Sequence, residues 1–290
     1  MNTFNNTSNF FEHLKEYYPQ LTKSSRKICD YLFENADRAQ YFSISSLAKE
    51  CHVAEATIFR FCKALGFNGY NELKIALAKA CATSGASNYY NTYGESQPDE
   101  DFDHMCDRLC RTNMEALTQT RDLLDHDSVN LAVSMLCEAS RVYCFGQGGS
   151  MIMAMEAWGR FLTISDKFYA IQDNHLQTMA ASLMNSRDII LFISYSGSTR
   201  DMHDILKPAR ERGAHVILIT HEKDSPAARM SDVVLLCGAK EGPFQSGSIS
   251  AKISILYLID VLVSEYCKRN PRQTIENREA TTNALSTRHM

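Results

Sequence analysis

The sequence has little that would mark it for export or for a membrane. No apolar run approaches the roughly 18 to 20 residues a spanning helix needs, and the longest, around DIILFIS, is of strand length. The opening MNTFNNTSNFFEHLKEYY lacks a basic stretch followed by an apolar one, so no secretory signal is visible. The ten cysteines contain no C-x-x-C pair, and Cys106/Cys110 is an isolated helical spacing with no histidine cluster near it. That layout argues against a zinc or disulfide framework and reads as reduced, mostly buried thiols. Secreted and membrane classes are excluded, and a cytoplasmic protein without a bound metal is expected.

What is present is ordinary in bulk and uneven in layout. A composition of 44% hydrophobic and 22% charged residues suits a globular chain, and 290 residues suggest two domains, each able to bury a core. Residues 1–82 carry 10 Lys and Arg against 8 Asp and Glu, while 83–290 carry 20 against 26. Part of the acidic excess sits at Glu95, Asp99, Glu100, Asp101, Asp103 and Asp107. A slightly basic front and an acidic rear fit a small nucleic-acid module joined to something else. Between them, TSGASNYYNTYGESQP at 83–98 is rich in Ser, Gly, Asn and Pro, which marks a linker. The expected boundaries are a domain over 1–82, a linker over 83–103, a second domain over 104–270 and a polar tail over 271–290 that can be helical.

The front is helical throughout. In LTKSSRKICDYLFEN, Thr22 serves as N-cap and Ile28, Leu32 and Phe33 share a face. A short helix from Ile44 to Cys51 follows its cap Ser43, and the tight turn HVAE leads into a second. That second helix has an inward stripe of Ile58, Phe61, Cys62 and Leu65, and Gly66 ends it. Two short helices around a tight turn make a helix-turn-helix. Glu55, Thr57, Arg60 and Lys63 are the exposed positions, where Arg can read guanine and Thr a phosphate or a thymine methyl. Phe59 points outward too, to contact a thymine methyl or to pack on a neighbouring helix. The bland alternative is a helical bundle with a solvated charged face.

The segment from LTKSSRKICDYLFEN through ATIFRFCKALGFNGYNELKIALA resembles the N-terminal domain of RpiR-type transcriptional regulators over about 60 residues. The resemblance implies binding to double-stranded operator DNA. Ala54 departs from the family's usual polar residue at the start of the recognition helix, which removes a capping hydroxyl typically worth ~1 kcal/mol.

Behind the linker, a helical region over about 103–138 precedes five apolar runs, RVYCF, KFYA, DIILFIS, HVILIT and DVVLL, separated by helix-like segments. Buried strands alternating with helices indicate a five-stranded parallel sheet, doubly wound and flavodoxin-like, closed by a long helix over about 247–268. The first strand runs into Gly146-Gln147-Gly148-Gly149-Ser150, where glycines and a helix start suit an anion. A dinucleotide fingerprint fails there because its last small position is Met151. The third strand ends in Ser194-Tyr195-Ser196-Gly197-Ser198-Thr199-Arg200. Its hydroxyls can surround a phosphate. The alternative is that Ser198 or Thr199 merely caps the next helix while Arg200 pairs with Asp204.

Together GQGGS, ISYSGSTRD, GAHVILIT and DSPAARMSDVVL resemble the SIS (sugar isomerase) domain over about 105–270. That resemblance implies that Ser150, Ser194, Ser196, Ser198 and Thr199, with Gly148 and Gly149, hold the phosphate of a phosphorylated sugar. His175, in IQDNHLQTMA, either contacts the ligand or caps its helix. An SIS regulator controlled by a phosphosugar then needs no cofactor, metal or catalytic residue. The alternative is an SIS isomerase or lyase with an appended helical domain. Its general base would come from Glu156, Asp173, His175 or Glu241, none of which the sequence sets beside the hydroxyl loop. Because one helix-turn-helix reads few base pairs, a homodimer or homotetramer is expected, with ISILYLIDVLV and the tail beyond Asn270 as candidate subunit contacts.

Overall fold

Each helix of the N-terminal unit contributes one apolar stripe to a common core. The structure, a computed structural model, describes residues 10–82, 100–239, 241 and 247–286. Most of the expected linker, and much of EGPFQSGSISAK, lie outside the described residues. The front helices are α1 (Phe10–Tyr17), α2 (Lys23–Ala39), α3 (Ile44–Glu50), α4 (Glu55–Ala64) and α5 (Tyr70–Ala82). Leu14, Ile28, Leu32, Leu47, Ile58, Phe61, Leu65 and Phe67 fill the space between them. Phe33 does not share that fate: it is 36% exposed, with its ring 6.3 Å from that of Phe11.

Local chemistry sets the helix ends. The Thr22 hydroxyl accepts the Ser25 N–H at 3.2 Å, and Ser43 accepts that of Ser46 at 3.0 Å. Helix α3 ends with His52 in the left-handed region, at φ +53°, and with the Val53 N–H donating to the Ala48 carbonyl at 2.9 Å. Helix α4 ends the same way, with Phe67 N–H on the Cys62 carbonyl at 2.9 Å. Gly66 occupies the left-handed position there, whereas the turn between the two helices uses a residue with a Cβ.

The second unit begins within α6 (Phe102–Asp122), where the division between units falls after Leu109. It continues with α7 (His126–Glu138), β1 (Arg141–Gly146), α8 (Gly149–Leu162), β2 (Phe168–Ala170), α9 (Asn174–Ser182) and β3 (Asp188–Ile193). Then come α10 (Arg200–Glu211), β4 (His215–Thr220), β5 (Val233–Leu236), α11 (Ile249–Arg269) and α12 (Pro271–Ser286). All pairings are parallel, in the order β2-β1-β3-β4-β5. Alternate residues feed opposite layers. Cys144, Leu191 and Ile217 pack towards α7, α8 and α11, while Phe145, Phe192 and Leu218 pack towards α9 and α10. Burial on both faces explains why the strands read as continuous apolar runs.

Two expectations change here. Helix α11 turns Ile255, Leu258, Ile259 and Leu262 into its own core, so most of the apolar run ISILYLIDVLV is spent within the subunit. The tail is not a separate segment either. Thr274 is buried, and the Asn277 amide donates to the Ile164 carbonyl at 2.7 Å, which binds α12 to the second unit.

Burial governs the thiols as expected: it pushes Cys29, Cys62 and Cys144 up to about 12. Among the described residues no group of His, Cys, Asp or Glu could hold a metal ion, and no helix is long and apolar enough to cross a membrane.

The pairing of β1 with β3 begins with an ion pair. Asp188 is fully buried, and its carboxylate accepts two bonds from Arg141 at 3.0 and 2.6 Å. The Asn185 backbone and side-chain N–H groups donate to the same carboxylate at 2.9 Å each. Arg141 is 39% exposed, so it remains partly hydrated. Arg141→Ala should cost about 2–3 kcal/mol, below the range for a fully buried pair, because the carboxylate keeps its Asn185 donors. Urea unfolding monitored by circular dichroism measures this, and a change under about 0.5 kcal/mol would show the pair to be a bystander.

Candidate functional site

Two sites emerge, one in each unit. In the first, the inward stripe of α4 leaves Ala56, Arg60 and Lys63 facing solvent at helical spacing. Arg60 is exposed, and its guanidinium donates to the Thr57 hydroxyl at 3.3 Å. Thr57 is half-buried. Lys63 is exposed, with its ammonium 5.6 Å from the centre of the Phe59 ring. Phe59 is 47% exposed and lies outside the core. Glu55 is turned away from this face: its carboxylate accepts the Ser45 hydroxyl at 2.7 Å and ties the start of α4 to α3. Of the four sequence-derived positions, Arg60 and Lys63 therefore present charge outward, Thr57 lies at the edge, and Glu55 serves the fold. Ala54, at the N-cap, offers no side-chain bond to the first turn.

The second site is a crevice set by strand order. Strands β1 and β3 are neighbours, but β1 connects onward to β2 on one side and β3 to β4 on the other. Their carboxyl ends thus form the topological switch point at which open α/β sheets bind ligands. Both candidate loops emerge here. After β1, Gly148 adopts φ +53° and ψ −126°, and α8 starts without a side-chain cap. The N–H of Ser150 donates to the Gln147 carbonyl at 3.0 Å, whereas among the described residues its hydroxyl has no protein partner.

After β3, the loop is pinned from behind. Tyr195 donates its O–H to the Ala239 carbonyl at 2.6 Å, and its ring stacks on His221 with centroids 5.0 Å apart. Gly197 has φ +57°, sends its N–H to the Ser194 hydroxyl oxygen at 3.2 Å and accepts the Ala227 N–H at 3.0 Å. The Ser198 hydroxyl donates to the Ser196 carbonyl at 2.9 Å. Thr199 stands at the N-cap of α10 yet makes no capping bond. Its hydroxyl donates instead to Oε1 of Gln147 at 3.0 Å, which joins the two loops across the crevice. The capping alternative for Ser198 and Thr199 thus fails, and α10, like α8, starts without a side-chain cap.

Gln147 was not among the residues the sequence singled out. Its signal lay in the GQGGS turn, as the amide side chain between two glycines. Its Nε2 is buried with no partner, as is Oε1 of Gln177. The Gln177 amide donates to the carbonyls of Gly146 and Ile171 at 3.2 and 2.6 Å and so fixes the end of β1 from beneath.

The remaining candidates separate from this cluster. Asp173, not His175, caps α9, accepting the Leu176 N–H at 2.9 Å, and His175 is exposed. Asp204 approaches His203 at 3.7 Å rather than Arg200. Glu156 is exposed on α8.

Comparison with known proteins bears on both units. The profile of the helix-turn-helix domain of the rpiR family matches residues 8–84, and that of the SIS domain matches 135–265. The chain is 32% identical over 274 residues to the uncharacterized HTH-type transcriptional regulator CPE0189 of Clostridium perfringens, covering 94% of this chain and 98% of that protein. It is 32% identical over 256 residues to the HTH-type transcriptional regulator HexR of Pseudomonas aeruginosa, covering 88% of each. Among solved structures, the Vibrio vulnificus NanR protein complexed with ManNAc-6P superposes with a TM-score of 0.85 at 27% identity, covering 96% of this chain and 98% of that one.

Gly197 is where the crevice is most tightly specified. A Cβ there would stand 2.2 Å from Oγ and 2.6 Å from Cβ of the fully buried Ser225. Gly197→Ala should therefore destabilise the second unit by about 2–4 kcal/mol, through left-handed strain and overpacking together. Chemical denaturation with a probe in the sheet is the measurement, and an unchanged midpoint would mean that the hydroxyl loop relaxes freely.

Proposed function

The chain belongs to the RpiR family of helix-turn-helix transcriptional regulators, and from that premise we propose how its two units work. It is a regulator and not an enzyme. The first unit binds double-stranded operator DNA through α4, with Arg60 and Lys63 as the principal contacts and Thr57 at the flank. The second binds a phosphorylated sugar at the switch point, with its phosphate between the start of α8 and the start of α10. Ser150 and Ser196 are the first donors, because among the described residues their hydroxyls have no protein partner. Ser194, Ser198 and Thr199, with the backbone of Gly148 and Gly149, complete the cradle. The site takes a phosphate ester in preference to a free sugar. Two helix starts without side-chain caps supply the positive dipole ends, and neutral hydroxyls supply bonds that strengthen on an anion.

The observation that carries this reading is the Thr199–Gln147 bond at 3.0 Å, which brings the two anion loops together at the carboxyl edge of the sheet. The NanR relative, bound to ManNAc-6P, supports an amino-sugar phosphate as the first ligand to try. Sugar or amino-sugar metabolism genes are then the regulated set. Binding of the effector and of the operator are linked, at a coupling typically ~1–3 kcal/mol. Two-fold operators require at least a homodimer.

On the DNA side, Arg60→Ala should weaken specific binding by ~1–3 kcal/mol if the guanidinium reads a base, and binding should fall steeply with added salt. Fluorescence anisotropy on labelled duplexes measures both, and unaltered affinity in the variant removes Arg60 from the interface.

On the effector side, a thermal-shift panel of phosphorylated sugars identifies the ligand, with ~2.7 kcal/mol of stabilisation at a hundredfold excess over Kd. Ser150→Ala and Ser196→Ala should each lose ~1.5–3 kcal/mol of affinity for it, since neither breaks a bond within the protein. Operator affinity without ligand should stay as it was. A double variant that still responds fully would rule out the cradle.

A further inference from the structure

An apolar ring on the solvent side of α4 stands among its cations. Phe59 is nearly half exposed and takes no part in the core of its unit. Scattered exposed apolar residues are common and by themselves mean nothing. This one is held in place and set in a particular chemical context. Lys63 lies one turn on, with its ammonium 5.6 Å from the ring centre. On the other side, ring atom Cε2 is 4.0 Å from where a Cβ on Gly69 would stand, so the ring leans on the turn before α5. Arg60 follows it directly and is exposed, and Ala56 and Ala64 are exposed on the same helix. Small residues at both ends and cations between them leave the ring free to meet whatever the helix docks on.

Among base edges in the major groove, the 5-methyl group of thymine is the apolar feature. A phenyl ring pressed against a cytosine amino group or a guanine carbonyl would strip a polar group of water without replacing its bond. We propose that Phe59 is a specificity-determining residue that reads a thymine methyl in each half of the operator, with Arg60 and Lys63 holding the helix on the flanking bases and phosphates. The inference rests on the reading of α4 as the operator-binding helix. It adds that part of the sequence preference comes from apolar contact rather than from hydrogen bonds.

The test uses the full-length protein and duplexes selected by it from a random library. In the selected sequence each thymine is replaced in turn by uracil, which keeps the pairing and removes only the methyl. At one thymine per half-site, uracil should weaken binding by wild type about four-fold, the worth of burying one methyl-sized apolar group. Phe59→Leu, which stays apolar, should keep that penalty, and Phe59→Ala should lose it. Phe59→Gln makes the same comparison should the alanine variant fail to fold by circular dichroism. Equal uracil penalties at every position for wild type and variant would overturn the inference while leaving operator binding intact. Failure to select any sequence would remove the DNA-binding reading, and the inference with it.

Discussion

The adjacency of β1 and β3, with their successors on opposite sides, is the constraint from which the rest of the second unit follows. Parallel strands require crossovers, and a chain that winds outward both ways from a central pair leaves the two outgoing helices diverging. Between them the sheet cannot close its own carboxyl edge. The Arg141–Asp188 pair fixes the other end of the same two strands, from Arg141 opposite Asp188 to Gly146 opposite Ile193. Register set at one end therefore determines how the GQGGS turn faces the hydroxyl loop at the other. A one-residue slip would turn every strand side chain to the wrong layer and separate Gln147 from Thr199.

That geometry is maintained against local preference. Thr199 occupies an N-cap position with extended backbone, yet its hydroxyl goes to Gln147. Gln147 in return keeps its Nε2 buried without a partner, a condition that costs roughly 1–3 kcal/mol. Tyr195 and Gly197 supply the opposing restraint, since one anchors on Ala239 and the other fits against Ser225. A loop held rigidly from behind and poorly satisfied in front is preorganised for a partner that brings its own acceptors.

Much of this was legible in the sequence, and the failures share a cause. Thr22 and Ser43 were readable as caps because capping depends on residues three positions apart. The inward stripe of α4 and the five strands were readable because periodicity is local too. Glu55 was read as exposed, and its half-burial was hidden because its partner, Ser45, lies on another helix. The same holds for Thr199 and Gln147, which are 52 positions apart, and for α12, whose attachment runs from Asn277 to Ile164. Phe33 and α11 show the limit of counting apolar residues. Periodicity tells which residues share a face, but not how much of that face another element covers.

The same contrast among helix starts recurs in each unit. Where the N-cap is defined, α2, α3, α7, α9 and α11 are closed by the side chains of Thr22, Ser43, Asp125, Asp173 and Ser248. Helices α4, α8 and α10 begin at Ala54, Gly148 and Thr199 and have no side-chain cap. Omitting a cap typically forgoes ~1 kcal/mol, so three omissions amount to a substantial fraction of a domain's net stability. They fall on the helix of the candidate operator face and on the two helices that frame the switch-point crevice. At the five capped starts the cap side chain accepts a first-turn N–H. At these three starts no side chain competes for the positive end of the helix dipole, which an anion can then meet. Phosphate is the common chemistry of an operator backbone and of a phosphorylated sugar, and this pattern of withheld caps suits both.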